Sequence, residues 1–247
     1  MSGTRSRSRK EQAIDAIIVS HGQPSNAQAG EAHLRALAQR VREFLPDWQI
    51  RSATLAAPGR LERALDAAGP EPVVFPVFMA EGWFTKTALA GRLKKTGARQ
   101  LPALGVHPDL PALTAQLLQT AADHAGWGAH GYEVLLAAHG SATGSAAGRC
   151  SLDFAEALAS WLPSVRIDVG FLEQAPHLED VAGGRGLRTL ALPFFAGTGG
   201  HVRDDVPQAL DRADFKGLRM EPLGNAHFVP ELIAHALELA AHRMLAA

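Results

Sequence analysis

One cysteine, Cys150, in 247 residues excludes an intrachain disulfide and any metal site built on several thiolates. An excess of one charge is also missing, since 24 lysines and arginines face 25 aspartates and glutamates for a formal net charge of −1. Nucleic acids and anionic membrane surfaces attract a basic excess, so neither is expected as a partner. No apolar run approaches the roughly 20 residues of a membrane-spanning helix. The amino-terminal stretch "MSGTRSRSRKEQ" has no apolar segment of the kind a secretory signal needs, and it is too poor in hydrophobic residues for an amphipathic transit peptide. Residues 1–12 are expected to form a disordered tail on a cytoplasmic protein. What remains is an ordinary globular composition, 47% hydrophobic and 20% charged, in a chain long enough for one large domain or two small ones.

The chain repeats itself. "AIIVSHG" is matched by "VLLAAHG", with His139 lying 118 residues after His21. "REFLPDWQI" is matched by "ASWLPSVRI", with Pro163 lying 117 residues after Pro46. "VVFPVFMAEGWF" pairs with "LALPFFAGTGGH", where Pro193 follows Pro76 by 117, and "LGVHPDLPALTAQLL" pairs with "LGNAHFVPELIAHAL", where Leu223 follows Leu104 by 119. Four matches in one order at a near-constant offset indicate two homologous halves. They join near "AGWGAHG", which predicts an N-terminal lobe over 13–126 and a C-terminal lobe over 131–247.

Each half alternates strand and helix patterns. In the second, "EVLLAAH" is a continuous apolar run, as a strand buried on both faces requires. A helix follows over Ala146–Leu162, with Phe154, Ala157, Leu158 and Trp161 at helical spacing. Strands are then predicted at "VRIDVGFLE", "LRTLALPFFAG" and "LRMEPLG", alternating with helices at "PHLEDVAG", "RDDVPQALDRAD" and "VPELIAHALELAAHRML". Pro207 and Pro230 stand near helix starts, where proline is tolerated. The predicted class is α/β: two homologous lobes, each a parallel sheet of about four strands flanked by helices, with a cleft between them.

Ligands of open parallel sheets bind beyond the carboxyl ends of the strands. There the second half presents His139, Glu173 and, after a glycine-rich run, His201. Two imidazoles and a carboxylate suit a borderline divalent metal and leave coordination positions open. Gly197, Gly199 and Gly200 would let the backbone turn and a bulky ligand approach. Each residue has a plainer explanation by itself: a satisfied loop histidine, a helix-capping glutamate, turn glycines. The duplication supplies a control. His139 aligns with His21, whereas Glu173 falls on Ala56 and His201 on Phe84. One working site in the second half and a retired copy in the first account for that asymmetry better than packing does.

The strand running into His-Gly-Ser, the "LE" strand end and above all "PFFAGTGGHVRDDVPQAL" resemble the class II tetrapyrrole chelatases, specifically the CbiX/SirB-type sirohydrochlorin chelatases in their long, duplicated form. The resemblance implies ATP-independent insertion of Co²⁺ or Fe²⁺ into sirohydrochlorin, serving cobalamin or sirohaem synthesis. The metal would be a substrate, with Ni²⁺ or Zn²⁺ also compatible with the donors, and no nucleotide cofactor is implied. His139 and His201 would then be metal ligands, and Glu173 a further ligand or the acceptor of the pyrrole protons. Because the duplication supplies both lobes within one chain, a monomer is expected.

Further candidates carry less. Trp83 and Phe84 offer an aromatic pair for a flat macrocycle, or a plug in the retired site. Arg203 and Lys86, at matched positions, suit substrate carboxylates or simply solvent. Ser141, Gly199 and Gly200 are candidate substrate contacts. Asp204 and Asp205 are expected to favour the dipole of the following helix. His177 is within reach of Glu173 but reads as a surface residue; His107, His227, His235 and His242 read as structural, and Cys150 as a small buried hydrophobe. Three other functions stay open at this stage. A histidine phosphatase would show an arginine before its histidine, but Ser20 and Ala138 stand there. A nucleotide-binding lobe would show a glycine-rich phosphate loop after a first strand, and none follows. A non-catalytic tetrapyrrole or metal carrier would share the same triad.

Overall fold

In the computed structural model, residues 14–23, 27–128, 131–141 and 146–245 are described. The expected tail at 1–12 lies outside them. Two four-stranded, wholly parallel sheets stand side by side. The first is built from β1 (Asp15–Ser20), β2 (Gln49–Thr54), β3 (Val73–Pro76) and β4 (Arg99–Gln100) in the order β2-β1-β3-β4, with helices α1 (Ala27–Phe44), α2 (Arg60–Asp66), α3 (Ala90–Leu93) and α4 (Leu110–His124). The second repeats this with β5 (Glu133–Ala138), β6 (Arg166–Phe171), β7 (Thr189–Pro193) and β8 (Leu218–Arg219) in the order β6-β5-β7-β8, and with α5 (Ala146–Trp161), α6 (Leu178–Ala182), α7 (Val206–Arg212) and α8 (Val229–Leu245). No helix among the described residues is long and apolar enough to cross a membrane.

The central strands explain why these runs lack polar alternation. On β1, Ala16 and Ile18 face the core shared by the lobes, while Ile17 and Val19 face an outer core under α2 and α3. On β5, Val134, Leu136 and Ala138 face the shared core, and Leu135 and Ala137 the outer one. Successive side chains of a strand point to opposite faces, and both faces are covered. Between the lobes, α1 packs on α8 and α4 on α5. Since α5 repeats α1 and α8 repeats α4, this is the reciprocal pairing of a two-fold interface. One apolar cluster contains Leu34 and Val41 of α1, Leu118 of α4, Leu158 of α5 and Ile233 and Leu237 of α8. Each such side chain contributes about 1.5–3 kcal/mol relative to exposure, which fixes the separation of the sheets.

Several elements are shorter than the residue patterns imply. The third strand of the second lobe stops at Pro193 rather than Gly197, because the Phe194 N–H makes the last bond to β5, at the Ala137 oxygen. Residues 194–200 are thereby released into a loop. The strand expected over 218–224 is the two-residue β8, after which residues Leu223–Asn225 form a 3-10 turn led by Pro222. The strand expected to reach Glu173 ends at Phe171. The helix expected from Arg203 starts instead as a π-helical turn, His201–Asp205, that leads into α7. Trp161 is 62% exposed and lies off the buried face of α5, and Cys150 is partly exposed rather than buried. Of the histidines read as structural, His227, His235 and His242 are exposed, while burial holds the His107 imidazole below the usual histidine range.

A matched pair of glycines anchors the loops that follow β3 and β7. Gly105 N–H donates to the Phe78 oxygen and Gly224 N–H to the Phe195 oxygen, each at 2.9 Å. A Cβ on Gly105 would come within 2.0 Å of the Met79 oxygen, and one on Gly224 within 2.2 Å of the Ala196 oxygen. Backbone meets backbone there, so relief requires moving the loop. Gly224→Ala is expected to destabilise the fold by at least about 2 kcal/mol in urea unfolding. Gly91→Ala, where a Cβ would meet nothing within 4 Å, is expected to be neutral or mildly stabilising.

Candidate metal centre and the cleft around it

His139 is the first residue beyond β5. Gly140 follows it with φ +73°, and a Cβ there would lie 2.7 Å from Gln174 Cγ. Glycine is therefore required twice over, by its left-handed backbone and by the approach of the neighbouring strand. The turn brings the Gly140 oxygen to 3.0 Å from His139 Nδ1. The His139 oxygen in turn accepts the Glu173 N–H at 3.0 Å, so Glu173 is held beside His139 by the continuation of strand pairing.

His201 arrives by a different route. It opens the π-helical turn, with Asp205 one turn later, and its Nδ1 lies 2.6 Å from Asp205 Oδ2. Asp205, expected to favour the helix dipole, makes no cap with its carboxylate, which is engaged by the imidazole. A histidine and an aspartate four residues apart are the only sequence signal for this pair.

His139, Glu173 and His201 present ligand atoms that all lie within 4.8 Å of one another. The two Nε2 atoms are 3.0 Å apart, and His139 Nε2 is 3.6 Å from Glu173 Oε1. A carbonyl and a carboxylate oxygen can only accept, so both Nδ1 atoms carry the ring proton in the neutral imidazoles. Both Nε2 atoms then hold lone pairs directed at the same small volume. Ligands about 2.1 Å from one ion lie about 3.0 Å apart at a right angle and about 3.4 Å apart at the tetrahedral angle, so the spacing suits a single cation.

These groups line one wall of a cavity of about 800 Å³ between the lobes. Its remaining surface is largely apolar, with Leu34, Leu37, Val77, Phe78, Met79 and Phe194 among the contributors. Arg203, Ser141 and Gly199 also line it, as does Trp83. Ser141 N–H donates to Gln174 Oε1 at 2.9 Å. Lys86 is placed elsewhere: it is not among the lining residues, and its ammonium pairs with Glu81 at 3.3 Å. His177 is exposed and outside the cavity. Gly197 lines the cavity and Gly200 does not; a Cβ on Gly197 would lie 2.7 Å from His33 Nε2 and one on Gly200 3.2 Å from Gln23 Nε2, so both also sit where the lobes approach one another. His33 and Gln23 line the same cavity and escaped the sequence reading, since α1 approaches this loop only in the tertiary fold.

The first lobe keeps the framework and one histidine, His21, without the other two donors. Ala56 N–H donates to the His21 oxygen at 2.9 Å, as Glu173 N–H does to His139, and His21 Nδ1 lies 2.6 Å from the Gly22 oxygen. Phe84 begins a π-helical turn, as His201 does. Its ring stands edge-on to His21 at 4.1 Å and 77°, against 4.4 Å and 87° for His201 and His139.

A sequence profile of the CbiX family matches residues 133–240, the lobe that holds the triad. No curated protein sequence matches the chain. A solved structure of CbiX, described as the terminal enzyme for biosynthesis of siroheme in denitrifying bacteria, is similar with a TM-score of 0.82 at 40% identity, covering 92% of this chain and 99% of the other. Two structures of SirB from Bacillus subtilis, one with Fe³⁺ and one from subspecies spizizenii with cobalt, give TM-scores of 0.74 and 0.65. They cover 92% and 94% of this chain and 95% and 96% of their own, and at 13% and 14% identity they speak to the fold alone. The duplicated α/β architecture and the 40% identity over nearly both whole chains lead to one conclusion: this chain belongs to the CbiX family of class II tetrapyrrole chelatases, which insert a metal into sirohydrochlorin.

Proposed function

We propose that this protein inserts ferrous iron, or cobalt where that is the metal supplied, into sirohydrochlorin without ATP, using His139, Glu173 and His201 as its metal site. The observation that carries this reading is the pair of Nε2 lone pairs 3.0 Å apart, each fixed by a hydrogen bond on the far side of its ring. The siroheme role of the 40% identical relative favours iron, and the donor set itself accepts either metal. Arg203 is positioned on the cavity wall to meet a peripheral carboxylate of the substrate, with Ser141 and Gly199 beside it.

The chemistry follows from the donor types. Neutral imidazoles hold a divalent ion firmly enough to orient it and weakly enough to release it to the four pyrrole nitrogens, which several thiolates would not. Insertion replaces two pyrrole N–H protons by one M²⁺, so two protons must leave. Glu173, beside the cation and 47% exposed at its side chain, can accept a proton and pass it to water. Asp205 acts through His201: by accepting Nδ1–H it fixes the tautomer and the ring orientation, leaving the Nε2 lone pair for the metal. The pairing of the lobes within one chain supports a monomeric enzyme.

Purified protein with sirohydrochlorin and Fe²⁺ or Co²⁺ is expected to accelerate the absorbance change of metallation above the spontaneous rate. Tight macrocycle binding with no acceleration would instead identify a carrier. His201→Ala should lower the rate at least about 100-fold, comparable to the loss of other groups that stabilise reacting charge. His21→Ala should retain the Co²⁺ site and lose mainly thermal stability, and His177→Ala should match the parent rate. Asp205→Asn should weaken Co²⁺ binding about 10–100-fold in a chelator-competition titration, with the fold intact by circular dichroism.

A further inference from the structure

The two lobes meet the cavity with opposite chemistry, although each offers the same backbone to it. Where the second lobe has Gly200 and His201, the first has Trp83 and Phe84, at the same offset of 117. Both aromatic residues line the cavity. Phe84 is 42% exposed, much as His201 is at the same place in the second lobe, so its exposure follows from the shared framework; Trp83, 65% exposed where the second lobe has Gly200, is a ring that the framework does not call for. The rings of Trp83 and Phe84 are in contact at 5.2 Å and 80°, and Phe84 lies nearly parallel to Phe78 at 6.5 Å and 24°. An aromatic surface thus begins inside the first lobe and emerges into the cavity shared with the metal triad. Unlike Trp161, which is exposed alone among the described residues, Trp83 continues a contiguous aromatic patch through Phe84 to Phe78 on the wall of a cavity, and such a patch marks a binding surface.

Resting on the chelatase reading above, we propose that the first lobe, having lost two of the three metal donors, has become the macrocycle subsite: Trp83, backed by Phe84, stacks on the face of the tetrapyrrole and holds it for the metal presented by the other wall. A conjugated tetrapyrrole has a broad apolar face and carries its carboxylates around the rim. Its face suits an uncharged aromatic wall, and its rim suits Arg203, which lines the cavity. The matching cation of the first lobe, Lys86, is paired with Glu81 and stays off that wall, leaving it uncharged. The duplication has thereby separated two tasks, with metal on the second lobe and macrocycle on the first.

The test separates the tasks in the full-length protein. Metal-free sirohydrochlorin is titrated with wild type, W83A, W83F and H201A, following the tetrapyrrole's own absorbance, and Co²⁺ binding without tetrapyrrole is measured by competition with a chromophoric chelator. W83A is expected to weaken sirohydrochlorin binding about tenfold, in line with the value of an aromatic stack, while Co²⁺ affinity stays within about twofold. W83F should recover most of the loss, because a ring is restored without the indole. H201A should show the converse, losing Co²⁺ and keeping sirohydrochlorin within about threefold. If wild type binds sirohydrochlorin and W83A binds it equally well, the subsite is overturned while the chelatase reading stands. If wild type binds no sirohydrochlorin, the chelatase reading itself falls, and the subsite with it.

Discussion

Two neutral imidazoles whose lone pairs face each other across 3.0 Å repel unless a cation lies between them, and much of the second lobe is arranged to hold them so. The left-handed turn at Gly140 returns a carbonyl to His139 Nδ1, and the π-helical turn sets Asp205 against His201 Nδ1. Either oxygen alone would fix one ring. Together they leave both Nε2 atoms of the neutral rings as acceptors and create a local need for positive charge, which a proton or a metal ion would meet. Glu173, tied by its backbone to His139, deepens that need with a negative charge. In the first lobe the same turn fixes His21 in the same tautomer, but the partner is the ring of Phe84, and no carboxylate stands at position 56. The framework persists there without the electrostatic demand.

The packing of the lobes explains how one cavity can have two unlike walls. Reciprocal contacts of α1 with α8 and α4 with α5 are those of a symmetric dimer. Identical subunits meeting that way must place the same residues on both walls of the cleft. Joining the halves in one chain removes the requirement while keeping the interface, because Leu34, Leu158 and Ile233 belong to one continuous core. The walls were then free to diverge at positions 56, 83 and 84 without disturbing what holds them apart.

Function in this molecule depends on short, irregular segments at the ends of regular ones. β7 ends at Pro193 because β5 has no further oxygen in register, and the loop so released carries Phe194 through Gly199 around the cavity. Gly224 lets that loop close against the 3-10 turn that replaces the rest of the fourth strand. A longer β7 would have carried the backbone past His139 and left His201 elsewhere.

The amino-acid sequence by itself determined the duplication and the parallel α/β class and singled out the three candidate donors, because each is written in local terms: a constant offset, apolar runs matched to strands buried on both faces, and chemically specific residues at strand ends. It also marked Ala56 and Phe84 as departures, since the halves can be laid together without coordinates. Only the tertiary structure decided which neighbours these residues have. The carboxylate of Asp205 turns to an imidazole and not to a helix end, Lys86 leaves the cavity that Arg203 lines, and His33 leans over Gly197 from the opposite lobe. Those outcomes depend on π-helical turns, on where strand pairing stops and on contacts between segments more than 100 residues apart. Local pattern carries no record of such distances, so they are settled only when the two sheets pack.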